Sequence, residues 1–248
     1  MKKFLRIFTA LLLAIVSITF VAAIVWWTNN AYPPSEIGLE AMRSDSEVFV
    51  VPENGWVVFH PAGNPRPEVG FIFYPGANVD YRAYAPVMKL IAIKGYLVAI
   101  VPQPLNLAFF NSNAAARVQA AYPEIENWFI GGHSLGGVVA SSYAVSHVEI
   151  RGLVLWASTP GDDAVILRGT DTISIFGTHD GLFTRKDVDD SRALLPADTV
   201  FVPIDGGNHS QFGSYGLQEG DEAATISPEE QWMLVAGATT GFFEEVMK

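Results

Sequence analysis

The sequence predicts an α/β fold, a mostly parallel central sheet with helices on both faces. Three observations carry that prediction. From Val48 onward, short β-branched runs alternate with helical patterns. The runs "VGFIFYPG", "GYLVAIVPQ", "WFIGGHS", "IRGLVLWAS", "TISIFGTHD" and "TVFVPIDGG" are continuously apolar, as strands buried on both faces are. Ahead of them, "EVFVVPENGWVVFHP" reads as two strands joined by a turn at Glu53-Asn54-Gly55, so an antiparallel hairpin opens the sheet.

The helices fall between these runs. "YRAYAPVMKLIAIKG", "SNAAARVQAAY" and "LGGVVASSYAVSH" carry helical patterns. The last helix is announced by "SPEE": Ser227 can cap, Pro228 opens the first turn, and Glu230 completes a capping box.

The tail is different material. "MKKFLR" carries three positive charges, and Ile7 to Trp27 follows without any charge, long enough to cross a bilayer. Lys2, Lys3 and Arg6 predict a cytoplasmic N-terminus, with Trp26 and Trp27 at the far interface. A cleaved signal peptide, with "FVAA" as a poor cleavage site, is the competing reading; apolar character continues past it, which favours the anchor. Either way the domain is expected outside the cytoplasm, single-pass in the cell membrane or, if cleaved, secreted. The expected divisions are 1–27 for the anchor, 28–47 for a polar, proline-containing linker, and 48–248 for the domain.

Composition narrows the functions. A chain of 248 residues with half of them hydrophobic can build a real core. With no cysteine there is no disulfide framework, thiolate metal site or cysteine nucleophile. The three tail cations leave 12 basic against 26 acidic residues, −14, in the remainder, which argues against a nucleic-acid partner.

"WFIGGHSLGGVVA" is the most informative stretch. Ser134 lies where a buried strand meets a helix, within Gly132-His133-Ser134-Leu135-Gly136, a G-x-S-x-G pattern. Such a turn forces the serine into strained backbone and projects its hydroxyl above the sheet; the positions two before and two after must lack side chains. The helix from Leu135 aims unpaired N–H groups at the same spot, where negative charge would develop. A glycine-rich turn cradling phosphate is the competing reading, but it lacks the lysine of a phosphate loop and the spacing of a dinucleotide fingerprint.

A nucleophilic serine needs a base and an orienting acid. Of five histidines, His133 is inside the turn and expected to point away from Ser134, His147 closes a helix, and His60 follows an early strand. His179 precedes an aspartate in a loop, and His209, in "IDGGNHSQFG" beyond the last strand, can reach back over the strand ends. Asp180 ends the preceding strand and can accept the histidine's Nδ1–H. Asp162, Asp163 and Asp205 are the rival acids. Ser134, Asp180 and His209 follow the chain order of a nucleophile-elbow enzyme. For the oxyanion, "FIFYPGANVDY" ends a strand in a turn, and the N–H groups of Ala77 and Leu135 are the expected donors, with Asn78 a further polar contact. Phe109, Phe110, Phe212 and Tyr215 are candidate pocket residues whose alternative role is ordinary packing.

"GGHSLGG", "GTHDG" and "GGNHSQFG" together resemble the α/β-hydrolase superfamily over about residues 48 to 246, especially its small cap-less, dienelactone-hydrolase-like group. The resemblance implies the α/β-hydrolase fold, Ser134 as nucleophile, His209 as base, Asp180 as acid, an acyl-enzyme, and neither cofactor nor metal. There are departures. Dienelactone hydrolase uses a cysteine, absent here; "YPGAN" stands where many relatives have a histidine before the glycine; and "TPGDDAVILRGTD" is too short for a lipase lid, so no large cap is expected. The expected function is a membrane-anchored serine esterase acting on a small-molecule ester. A peptidase or acyltransferase with the same triad, or an idle extracellular binding module, are the rivals; the sequence is silent on oligomeric state.

Overall fold

All eight strands hydrogen-bond into one sheet, in the order β1-β2-β4-β3-β5-β6-β7-β8. The computed structural model describes residues 2–63 and 66–248. Along the chain the elements are α1 (Lys2–Asn29), α2 (Glu36–Ala41), β1 (Val48–Glu53), β2 (Trp56–Pro61), β3 (Val69–Tyr74), α3 (Ala85–Ile93), β4 (Leu97–Ile100), α4 (Ala114–Ala121), β5 (Asn127–His133), α5 (Leu135–Ser146), β6 (Ile150–Trp156), α6 (Ala164–Arg168), β7 (Asp171–Gly177), α7 (Arg185–Ser191), β8 (Val200–Ile204) and α8 (Pro228–Val246).

The hairpin forms as expected, Val48 opposite Pro61 through Glu53 opposite Trp56, and β2 continues antiparallel onto β4. Its turn places Asn54 and Gly55 at φ 46° and 93°, the left-handed region that these residue types tolerate. From β4 to β8 every pairing is parallel. The continuous apolar runs are explained by burial on both faces. In β3, Phe71 and Phe73 join Met88, Trp156 and Phe243 on one side, under α3 and α8. Ile72 joins Ile130, Leu153, Val118 and Val139 on the other, under α4 and α5. Each such side chain contributes about 1.5–3 kcal/mol on burial.

The strand order fixes where a ligand can enter. The chain moves from β3 outward to β4, then returns to the other side of β3 to make β5. Loops leaving the carboxyl ends of β3 and β5 therefore diverge and open a crevice between them. Those loops carry Ala77 and Ser134.

Two regions differ from the sequence expectation. α7 falls between β7 and β8, where no helix was expected. Its sequence "RKDVDDS" buries only Val188 and Ser191, so apolar periodicity is weak. Polar terms form it instead: a reciprocal capping box between Thr184 and Asp187, and pairs of Arg185 with Asp189 and Lys186 with Asp190. The stretch 28–47 is fastened to the domain. Tyr32 makes a parallel bridge to Val79, and α2, capped by Ser35, packs against α3.

α1 is 28 residues long, and none of its most apolar window is buried in the protein. Length and composition fit a membrane span or a signal sequence.

Candidate active site

Ser134 occupies the junction of β5 and α5 at φ 50°, ψ −122°. A β-carbon at Gly132 would collide with the backbone of Gly136 and Gly137, and one at Gly136 with the carbonyl oxygens of Tyr74 and Pro75. These are the two positions at which the G-x-S-x-G pattern excludes side chains, and backbone is what excludes them. The serine's main chain is pinned as well. Its N–H donates to the Trp156 carbonyl at 3.0 Å, and its own carbonyl accepts from Ser158 Oγ at 2.6 Å and Gly137 N–H at 3.0 Å.

His209 follows β8 in a loop with almost no freedom. Asn208 is held on both sides of its peptide plane by the buried Gln231 amide: its N–H donates to Oε1 at 3.0 Å, and its carbonyl accepts from Nε2 at 2.8 Å. Asp221 closes the other side. Its carboxylate accepts from the N–H groups of His209 (3.4 Å), Ser210 (2.8 Å) and Gly181 (3.0 Å), and from Ser210 Oγ (2.6 Å). One carboxylate thus ties the loop bearing His209 to the loop bearing Asp180. Neither Asp221 nor Gln231 was foreseen. Asp221 is one of several acids in "EGDEAA", and only the oddity of a glutamine on the buried face of α8 marks Gln231.

The structure brings Asp180 and His209 together. Asp180 Oδ2 lies 2.9 Å from His209 Nδ1, with the two side chains only 1% and 3% exposed. Oδ1 accepts from the N–H groups of Leu182 (2.8 Å) and Phe183 (2.6 Å). A carboxylate with all its partners donating can only accept, so Nδ1 carries a proton, and in the neutral imidazole Nε2 is the nitrogen with the lone pair. Two of the rival acids are bound elsewhere, Asp162 to the Ala164 N–H and Asp205 to Thr178 Oγ1, and the third, Asp163, stands at the start of α6.

Ser134 and His209 line one cleft of about 330 Å³, together with Leu135, Val138, Leu182 and Phe183. Among the described residues no hydrogen bond joins Ser134 Oγ to the His209 ring. Leu135 opens α5, where an N–H has no intrahelical acceptor. Ala77 is outside the cleft wall, in the turn whose carbonyls press on Gly136. Its neighbours are committed, Gly76 N–H to Tyr84 Oη at 3.0 Å and Asn78 N–H to the Asn106 carbonyl at 2.9 Å. The Asn78 side chain bonds the stretch that follows α1, its Nδ2 donating to the Asn30 carbonyl at 3.0 Å.

His133 is buried behind the site. Tyr84 Oη, which accepts from Gly76 N–H, shares a hydrogen bond with His133 Nδ1 at 2.8 Å, and the His133 and His209 rings lie 4.4 Å apart. Burial, reinforced by His209, holds the His133 pKa well below 6.5, and burial raises that of the Tyr84 phenol. His60 is out on β2 near Glu53, and His147 stacks on Tyr143. Of the candidate pocket residues, Phe212 is buried against His133 and Trp156, Tyr215 lines a separate cavity of about 440 Å³, and Phe109 and Phe110 are exposed; none lines the Ser134 cleft. Among the described residues no cluster of histidine and carboxylate side chains is arranged to hold a metal ion.

Several solved structures share the architecture. The esterase domain of a Rhodothermus marinus protein superposes with a TM-score of 0.59 at 12% identity, covering 79% of this chain and 96% of that one. Est1E from Butyrivibrio proteoclasticus gives 0.59 at 14% identity, covering 82% and 99%. A membrane phospholipase A, described as a bacterial virulence factor, gives 0.57 at 13% identity and covers both chains completely. At these identities the likeness is one of fold. No curated protein matches the sequence. A family model, however, matches residues 70–233, from the start of β3 into α8 and so through both loops that carry the site; the chain belongs to the alpha/beta hydrolase family.

Proposed function

We propose that the protein is a serine hydrolase acting on carboxylic esters through an acyl-enzyme on Ser134. One observation carries the reading: a serine held at positive φ opens onto the same cleft as a buried histidine whose Nδ1 faces a carboxylate. Ser134 Oγ swings to His209 Nε2 as the ester enters, gives up its proton there, and attacks the carbonyl carbon. Asp180 keeps the imidazole in the correct tautomer and stabilises the imidazolium. The N–H groups of Ala77 and Leu135 receive the oxyanion, each such donor being worth about 2.7–4 kcal/mol in the transition state. The proton on Nε2 passes to the departing alcohol, and water, deprotonated by the same nitrogen, releases the acid.

In this reading residues 1–27 anchor the chain, the three N-terminal cations hold that end in the cytoplasm, and residues 48–248 work outside it. That structural neighbours include an esterase domain and a phospholipase agrees with ester chemistry.

A fluorophosphonate probe applied to membranes carrying the protein tests the reading. Labelling of wild type and not of Ser134→Ala is the expected result. Failure of folded wild type to label would overturn it and leave a non-catalytic binding module.

A further inference from the structure

The anchor does not merely tether the domain; it is built into the edge of the sheet that carries the cleft. Trp27, at the end of the uncharged run in α1, donates from Nε1 to the Leu105 carbonyl at 2.7 Å. Five residues on, the backbone of Tyr32 exchanges hydrogen bonds with the turn after β3: Tyr32 N–H donates to the Asn78 carbonyl at 2.8 Å, and Asp80 N–H to the Tyr32 carbonyl at 3.0 Å. Asn78 also holds the loop after β4 through its N–H to Asn106, and Tyr32 Oη accepts from Glu219 N–H at 3.1 Å. The loops after β3 and β4 leave the carboxyl edge of the sheet, as the loop of Ser134 does. The membrane helix and the cleft are therefore at one edge, locked by backbone bonds rather than joined by free chain.

The depth follows from helix geometry. Ile7 to Trp27 rises about 30 Å at about 1.5 Å per residue, which matches the hydrocarbon core. Leu105, bonded to Trp27, then lies at the headgroup level. From there the turn Pro104–Asn106 leads into the turn Ala108–Asn111, which packs against α5 behind Ser134. That second turn carries Phe109 and Phe110 side by side, 60% and 61% exposed. Charge agrees with the seat. In a chain whose residues 7–248 net −14, Gly95 to Ala116 and Ile7 to Ser35 hold no charged residue.

We infer that this edge rests in the outer interface of the bilayer that α1 enters, with Phe109 and Phe110 inserted, and that the substrate is a long-chain acyl ester resident in that membrane. The inference rests on the hydrolase and anchor readings above. A lipid's acyl chain would reach Ser134 past the two phenylalanines, its ester bond breaking to leave the acyl group on Oγ and a lyso-alcohol in the leaflet, after which water frees the fatty acid.

Full-length protein in neutral phosphatidylcholine vesicles tests both parts. The chain has no cysteine, so a single introduced one takes an environment-sensitive fluorophore cleanly. A label at Phe110→Cys is expected to be quenched by brominated lipid, whereas one at Val148→Cys, exposed before β6 at the amino edge, is not. Equal quenching at the two positions would overturn the docking whatever the activity. The pair Phe109→Ser and Phe110→Ser is expected to lower hydrolysis of the vesicle phospholipid at least about tenfold, while turnover of a soluble short-chain ester stays within about twofold and reports the fold. Vesicle hydrolysis that is absent in wild type, or unchanged in the double variant, would overturn the substrate assignment. Absence of soluble-ester turnover in wild type would overturn the hydrolase reading and the substrate assignment with it, and the quenching still decides the docking.

Discussion

Replacing Asp180 by asparagine separates the acid's two tasks, because the structure dictates which way the amide must face. Oδ1 takes two backbone N–H bonds, at 2.8 and 2.6 Å, and Oδ2 takes the His209 Nδ1–H at 2.9 Å. If the asparagine oxygen stays on the two N–H groups, its NH2 faces Nδ1. Flipping it would lose both bonds and set donors against donors. At about 1–3 kcal/mol for each buried N–H left unpaired, the flip is disfavoured by about 2–6 kcal/mol, at least about thirtyfold. The NH2 therefore faces the imidazole, Nδ1 must accept, and the ring proton moves to Nε2. A protonated Nε2 cannot take the Ser134 proton. Turnover of a soluble nitrophenyl ester at neutral pH should fall about 10³–10⁴-fold. Thermal unfolding should move little, since hydrogen bonds are exchanged and none is lost. Asp180→Ala, by contrast, strands the two N–H groups and the Nδ1–H, and at the same rate should cost about 3–9 kcal/mol, on the order of ten degrees or more in Tm for a domain this size. Retention of more than about a tenth of wild-type turnover by folded Asp180→Asn would refute the tautomer argument, since the wrong tautomer has no partial competence.

Three further predictions follow from neighbouring contacts. A methyl at Gly136 would stand 2.5 Å from the Pro75 carbonyl oxygen and closer still to that of Tyr74, both backbone, so Gly136→Ala must push the turn at Ala77 away from α5; about 1–3 kcal/mol of overpacking and a loss of about 10²–10³ in kcat are expected, and a folded variant with wild-type kcat would remove Ala77 from the oxyanion hole. Asp221→Ala frees both the His209 and Asp180 loops and should lower kcat with a smaller change in KM, read against Tm; a loss confined to Tm would make Asp221 purely structural. His133 is held neutral with its pKa well below the ordinary 6.5, so the unfolded chain binds a proton that the native state refuses as pH falls through about 6.5. Its contribution is complete above that pH and is lost below it, at up to about 1.4 kcal/mol per unit; urea unfolding at two pH values should show a shallower acid slope for His133→Phe, and identical slopes would refute the assignment.

Much of this site was legible because its parts are sequence-local. A G-x-S-x-G elbow needs its glycines within two residues of the serine, and the steric reason is the one the backbone displays at Gly132 and Gly136. Asp180 and His209 were reachable because each directly follows an apolar strand of a parallel sheet, so topology alone delivers both to one edge. Strands β2 to β7 were visible because burial on two faces makes each a short continuous apolar run, while β1 and β8, part-exposed at the two sheet edges, were visible from their β-branched and aromatic residues. What escaped depended on partners far along the chain. Asp221 matters through loops some 11 and 40 residues away, and nothing in "EGDEAA" distinguishes it from its acidic neighbours. Composition reads residues 28–47 as a polar, proline-containing linker; that Tyr32 and Ser35 within it bond to Asn78 and Ser214 is what no local pattern reveals. α7 escaped because its helix is made by caps and ion pairs, to which apolar periodicity is blind.

The distribution of cost across the fold bears on whether the cleft is used. A serine at φ 50° holds about 1–3 kcal/mol of backbone strain that glycine in its place would relieve. Behind it a histidine is buried at the expense of its charged form, and beside that a carboxylate and a second histidine are taken almost wholly out of water. None of these is needed to close the sheet: Phe71, Phe73, Trp156 and Phe243 on one face and Ile72, Ile130 and Leu153 on the other already do so. A packed strand–helix turn with glycine for Ser134, and apolar residues for the buried pair, would be the more stable solution at each point. Instead the strained Ser134 and the buried His209 line one cleft at the switch point of the sheet, with Asp180 and His133 directly against His209, and Asp221 and Gln231 hold the loops that carry His209 and Asp180. Strain concentrated where it does nothing for stability is the physical signature of a group held ready for chemistry, and it weighs against an idle binding module more heavily than the presence of any single residue of the triad.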